Sequence, residues 1–147
     1  MKKPTDPLRD HLVDLLTGDG AHVDFETAVK DFSVDLRGKV PKGAEHSPWQ
    51  LLEHLRIAQW DIIEFSRDPK HVSPEFPSGY WPAEKAPPND AAWDKSVRAF
   101  RADLKAMADL VRNSPDLLAP LPHDKDKTCC ARSSCSPITT LITWGSS

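Results

Sequence analysis

The sequence predicts an all-α protein. Apolar residues recur at helical spacing in four stretches, a capping box opens one of them, and no convincing strand pattern interrupts the series.

The elements follow in chain order. "PLRDHLVDLL" repeats Leu8, Leu12, Leu15 and Leu16 before stopping at "TGDG", which predicts a helix over 8–17. "DFETAVKDF" sets Phe25, Val29 and Phe32 on one face of a short second helix, with Asp24 as its cap. The clearest start is in "HSPWQLLEHLRIAQWDIIEFSRD". Ser47 caps, Pro48 takes the first helical position, and Gln50 stands three residues after the cap, as in a capping box. Leu51, Leu55, Ala58, Ile62 and Phe65 then repeat at spacings of four and three, giving a helix over 47–66. A final helix over 89–112 carries Trp93, Val97, Phe100, Leu104, Met107 and Val111 on a heptad-like seam. Between the two long helices runs "DPKHVSPEFPSGYWPAEKAPP", whose prolines forbid a long helix. Phe76, Tyr80 and Trp81 are expected to fold this connection back against the bundle.

Composition sets the bounds. A chain of 147 residues can bury a core without disulfides or a structural metal. Its net charge of −3 argues against a polyanion-binding role, so no nucleic-acid partner is expected. No apolar run is long enough to span a bilayer, and the start "MKKPTDPLRDHL" lacks the apolar stretch of a signal peptide, so the expectation is cytoplasmic, without a membrane partner.

An all-α chain of this size commonly forms a four-helix bundle, and here the count falls short. A fourth long helix belongs after "PDLLAPLPHDKDKT", yet the residues that follow are "CCARSSCSPITTLITWGSS". This stretch holds all three cysteines of the protein and no Asp or Glu. Ser and Thr are mediocre helix formers, Pro137 interrupts, and "PITTLIT" is strand-like. We therefore divide the chain into a helical domain, 1–128, and a tail, 129–147, that is not a separate domain.

The segment "HSPWQLLEHLRIAQWDIIEFSRDPKHVSPEFPSGYWP", with the "AAWDKSVRAFRADL" helix and the "LLAPLPH" lead-in, resembles the DinB-like (DinB/YfiT) superfamily of helical-bundle metalloenzymes. The likeness runs from about Leu8 to Thr128. It implies an up-down-down-up four-helix bundle holding a divalent metal, Ni or Zn, on three histidines. One of these lies on the second long helix and matches His54. The other two form an H-x-x-x-H pair on the fourth helix, and no histidine follows His123.

The genetic code relates the tail to the missing motif. The string CCG-ATC-ACA-ACG-CTT-ATC-ACT-TGG-GGC-AGC encodes "PITTLITWGS"; read from its third base it gives D-H-N-A-Y-H-L-G-Q. Upstream, "TCCAR" permits L-L-R-E in the same shifted frame, and "SSCSP" permits two leucines and then an alanine. The composite is an amphipathic helix carrying H-x-x-x-H. The tail thus reads as an out-of-frame translation beginning near Thr128, and the fourth helix as altered or lost from there.

Histidines at i and i+4 share one helix face and can share one metal. A third imidazole from a facing helix completes a three-nitrogen site with room for water or substrate. The resemblance implies thiol-dependent transfer with a low-molecular-weight thiol, or metal-dependent hydrolysis. In the chain as written His54 is the one metal-ligand candidate, with no catalytic residue assigned. On spacing alone, a lone histidine at the edge of an apolar seam is more often a hydrogen-bonded boundary residue.

The other polar candidates have plainer expectations. Asp61, on the same side as His54, is expected to be exposed or ion-paired, and Glu53 to face solvent or pair with Arg56 or Arg9. His46 and His71 flank helix ends and are expected to be solvated; His123 is expected in a loop, and His11 and His22 have no ligand spacing. Trp49, Trp60, Trp81 and Trp93 are expected to pack. Cys129, Cys130 and Cys135, as products of a shifted frame, make a poor soft-metal or redox site. Two functions remain: a metal-dependent transferase or hydrolase whose site is incomplete in this form, or a non-catalytic bundle for binding or homodimerisation.

Overall fold

The computed structural model describes residues 6–17 and 24–128, and among them the chain forms four α-helices. These are α1 (Pro7–Thr17), α2 (Phe25–Val29), α3 (Pro48–Arg67) and α4 (Asp90–Asn113). A two-stranded antiparallel hairpin of β1 (Pro120–Leu121) and β2 (Asp124–Thr128) follows. The protein is an all-α bundle with this small appendage.

The helix starts are chemical. Ser47 Oγ accepts from the Gln50 amide at 3.2 Å, and Gln50 Oε1 accepts from the Ser47 amide at 3.1 Å, closing the expected capping box around Pro48. Asn89 Oδ1 accepts from the Ala92 amide at 2.8 Å, and Asp24 Oδ1 from the Thr27 amide at 2.7 Å. Each cap satisfies a backbone donor that the first helical turn leaves unpaired.

The α4 seam organises the core. Near the N-terminal end of α4, Trp93, Val97 and Phe100 pack with Phe25, Trp49, Leu52 and Leu55. Further along, Met107, Ala108 and Val111 pack with Leu12, Leu16, Ile63 and Leu117. Leu104 touches both clusters.

The structure narrows two expected faces. On α1, Leu12 and Leu16 are buried while Leu8 and Leu15 are exposed, because a helix laid on α4 buries a stripe rather than a half-cylinder. On α3 the fully buried row is Leu52, Leu55, Gln59 and Ile63, facing α4. Leu51, Ala58, Ile62 and Phe65 form a second, half-buried row beside it.

The hairpin corrects the expectation of no strand. Pro120 and Pro122 exclude a helix, so the backbone extends and the two strands pair to satisfy their amides and carbonyls. The tail, the expected fourth long helix and the strand-like "PITTLIT" lie outside the described residues. No helix among the described residues is long and apolar enough to cross a membrane.

Candidate functional site at His54

The first turns of α3 present one side to the proline-rich connection, and the connection docks on it. Ser47 Oγ, while capping, also donates to the Lys85 carbonyl, and Gln50 Nε2 donates to the Pro82 carbonyl at 3.2 Å. One turn on, His54 Nδ1 lies 3.0 Å from the Tyr80 carbonyl oxygen. A carbonyl only accepts, so Nδ1 carries the hydrogen and the neutral ring keeps its lone pair on Nε2. That nitrogen has no hydrogen-bond partner among the described residues.

Trp81 fixes the plane of the ring. It lies nearly parallel to His54, at 3.9 Å between centroids and 7°, and to His46, at 3.9 Å and 21°. Two imidazoles this close to one indole must occupy its opposite faces, so Trp81 is sandwiched. Burial holds the His54 pKa below the usual imidazole value, and the nearby His46 adds to this against the opposing hydrogen bond to Tyr80.

Two turns further along α3, Asp61 anchors the same connection. It is 5 % exposed, and accepts from His71 Nε2 at 2.7 Å and from the Tyr80 hydroxyl at 2.8 Å. Burial alone would raise its pKa; hydrogen bonds from Ser73, His71 and Tyr80, with the His71 charge, outweigh that and hold it low. Gly79 lets the connection turn tightly enough to reach, since a Cβ there would lie 2.7 Å from Pro74 Cβ.

These contacts correct several expectations. His46 and His71 are drawn in by the folded connection rather than solvated, with the His71 side chain 10 % exposed. Asp61 meets His71 at ion-pair distance, in line with one expectation, but is buried. Tyr80 and Trp81 fold back as expected, whereas Phe76 is 84 % exposed. Trp49 and Trp93 pack in the core; Trp81 instead serves the imidazoles, and Trp60 stands half out of the surface, edge-on to His71 at 5.1 Å.

Other candidates lie elsewhere. Glu53 is buried against α4, bound by Arg56 through two contacts of 2.8 Å and by the Ser96 hydroxyl, so it does not face solvent. Arg9 instead meets Asp6 and the Val111 carbonyl. His123 sits in the hairpin turn with Nε2 at 2.6 Å from the Phe65 carbonyl. Phe65 is eleven residues along α3 from His54, about 16 Å, so His123 does not join it. His11 is exposed, and His22, Cys129, Cys130 and Cys135 lie outside the described residues. A cavity of about 460 Å³ opens beside α2 and α4, lined by Phe32, Arg37, Trp93 and Arg98 among others, away from His54.

A match to the DinB superfamily runs over residues 19–132, most of the chain. The chain belongs to the DinB superfamily. No curated protein and no solved structure matches it. DinB bundles are generally metal-associated, which asks whether these residues suit an ion. The His54 ring is held in plane by Trp81, and its Nε2 has no hydrogen-bond partner among the described residues. Among the described residues, however, no three His, Cys, Asp or Glu side chains come together as a metal-holding group. The described part of this DinB domain therefore does not by itself fit the ion.

Proposed function

We propose that His54 is the α3 ligand of a divalent-metal site, Ni or Zn, in a DinB-type enzyme. Its reaction is thiol-dependent transfer with a low-molecular-weight thiol, or hydrolysis. The chain as written carries only this arm. The observation that carries the reading is the His54–Tyr80 contact, which leaves Nε2 as the available lone pair. The remaining imidazoles belong to the shifted frame of the tail, and the superfamily match supports this by ending at residue 132, just past Thr128. The written form has lost the activity with the ligand pair. The test is nucleotide sequence across the codons for Lys127 to Ser147. A native gene encoding H-x-x-x-H supports the enzyme, and one encoding "SPITTLITW" removes it.

A second reading is a non-catalytic bundle for binding or homodimerisation. It is favoured by the same ring's structural partners, since stacking on Trp81 and bonding to Tyr80 also describe a histidine that merely ties a loop to a helix. Homodimerisation would draw on exposed apolar residues such as Leu15, Leu36 and Val72. Size measured across a dilution series tests the homodimer: a concentration-independent monomer excludes it.

A further inference from the structure

Asp61 is a buried carboxylate that the metal reading leaves unused. Both of its oxygens are taken by the connection between α3 and α4, Oδ1 by His71 and Oδ2 by the Tyr80 hydroxyl. The same Tyr80 offers its carbonyl to His54 Nδ1. One residue therefore spans two points of α3, with its side chain held on Asp61 and its backbone against the imidazole.

The two restraints on His54 have different powers. Stacking at 7° on Trp81 fixes the plane of the ring but is indifferent to a half-turn about the Cβ–Cγ bond, which exchanges Nδ1 with a carbon. Among the described residues, only the Tyr80 carbonyl tells the ring's two edges apart. It also selects the hydrogen's place, because an imidazole in water otherwise favours the hydrogen on Nε2, the nitrogen that must be bare to bind an ion.

We propose that Asp61 is a positioning residue for His54: by anchoring the Tyr80 hydroxyl it holds the Tyr80 carbonyl on Nδ1 and keeps the lone pair on Nε2. The value of this to an ion rests on the reading of His54 as a ligand; the tautomer itself does not. Tyr80→Phe removes the anchor while leaving the carbonyl that touches His54 in the chain. Asp61→Ala removes the acceptor.

The experiment is the imidazole ¹⁵N spectrum of the full chain labelled in histidine, free of metal, with His54 assigned by a His54→Gln variant. The unsubstituted chain should hold His54 in the Nδ1–H form. In Tyr80→Phe the ratio of Nδ1–H to Nε2–H should fall about five-fold, the factor one lost neutral hydrogen bond carries. Asp61→Ala should fall at least as far; if it fails to fold, Tyr80→Phe decides alone. Leu12→Ala, a core change on α1, which takes no part in these contacts, should leave the ratio unaltered. An unchanged ratio in Tyr80→Phe with helicity retained, or an equal fall in Leu12→Ala, overturns the proposal. Because no metal is present, a failure of metal binding would defeat the ligand reading and leave this result standing.

Discussion

At the scale of single residues, the decisive groups are His54 and Asp61, and they differ in how far the sequence disclosed them. His54 was marked by its place on the helix that starts "SPWQLLEHL", through resemblance rather than pattern. The partners of Asp61 were hidden, because His71 and Tyr80 are 10 and 19 residues away and meet it only once the connection folds back. The available signal was a Gly79-Tyr80-Trp81 run inside a proline-rich segment, which combines a tight turn with amphipathic rings. Asp61 also makes a pH prediction. Its folded-state pKa lies below the unfolded value of about 3.9, so its stabilising contribution is complete above that value. It is lost as pH falls through the folded value. Urea melts should therefore show Asp61→Asn less stable than the parent near neutrality, by about 1–3 kcal/mol, with the gap closing in acid. A gap that stays constant with pH would contradict this role.

At the scale of elements, helix existence was legible because capping and seam agreed. The capping box at Ser47 and the α4 seam each came from residues within one element. What local pattern could not give was rotation about a helix axis. Leu51 and Leu52 are neighbours in an apolar helix, and only packing against α4 made Leu52 the fully buried one. The second duty of Ser47 was likewise invisible, since its hydroxyl reaches Lys85 across the connection. Ser47→Ala should accordingly cost about 1–2 kcal/mol in a denaturant melt, at the upper end for a cap, because the Lys85 carbonyl also loses its donor. Gly79→Ala places a Cβ against Pro74 and should detach the connection without unfolding α3 and α4. Proteolysis should then cut within 71–82 faster while helical circular dichroism is retained; unchanged cleavage would show that the turn absorbs the methyl group.

At the scale of the whole molecule, membership of the DinB superfamily was legible over the bundle, while the hairpin was not. A five-residue strand of "DKDKT" has no apolar alternation, so its pairing comes from the prolines before it rather than its own pattern. The tail is the main question at this scale. A fourth helix in the shifted frame would bury several large side chains, each contributing about 1.5–3 kcal/mol. That sum rivals the whole net stability of a small domain, about 5–15 kcal/mol. The restored-frame protein, including the residues that follow in that frame, should melt higher than the chain as written and rise further with Ni²⁺ or Zn²⁺. Equal melting temperatures would mean that the written tail already supplies an equivalent element.

The central claim is that His54 is one arm of a metal site whose other arms lie in the alternative frame, and calorimetric titration with Ni²⁺ or Zn²⁺ tests it most directly. The chain as written should bind no better than its His54→Ala variant, since one neutral imidazole cannot hold an ion tightly. The restored-frame protein should bind one equivalent and lose that binding on His54→Ala. Tight His54-dependent binding by the chain as written, or none by the restored form, would contradict the account.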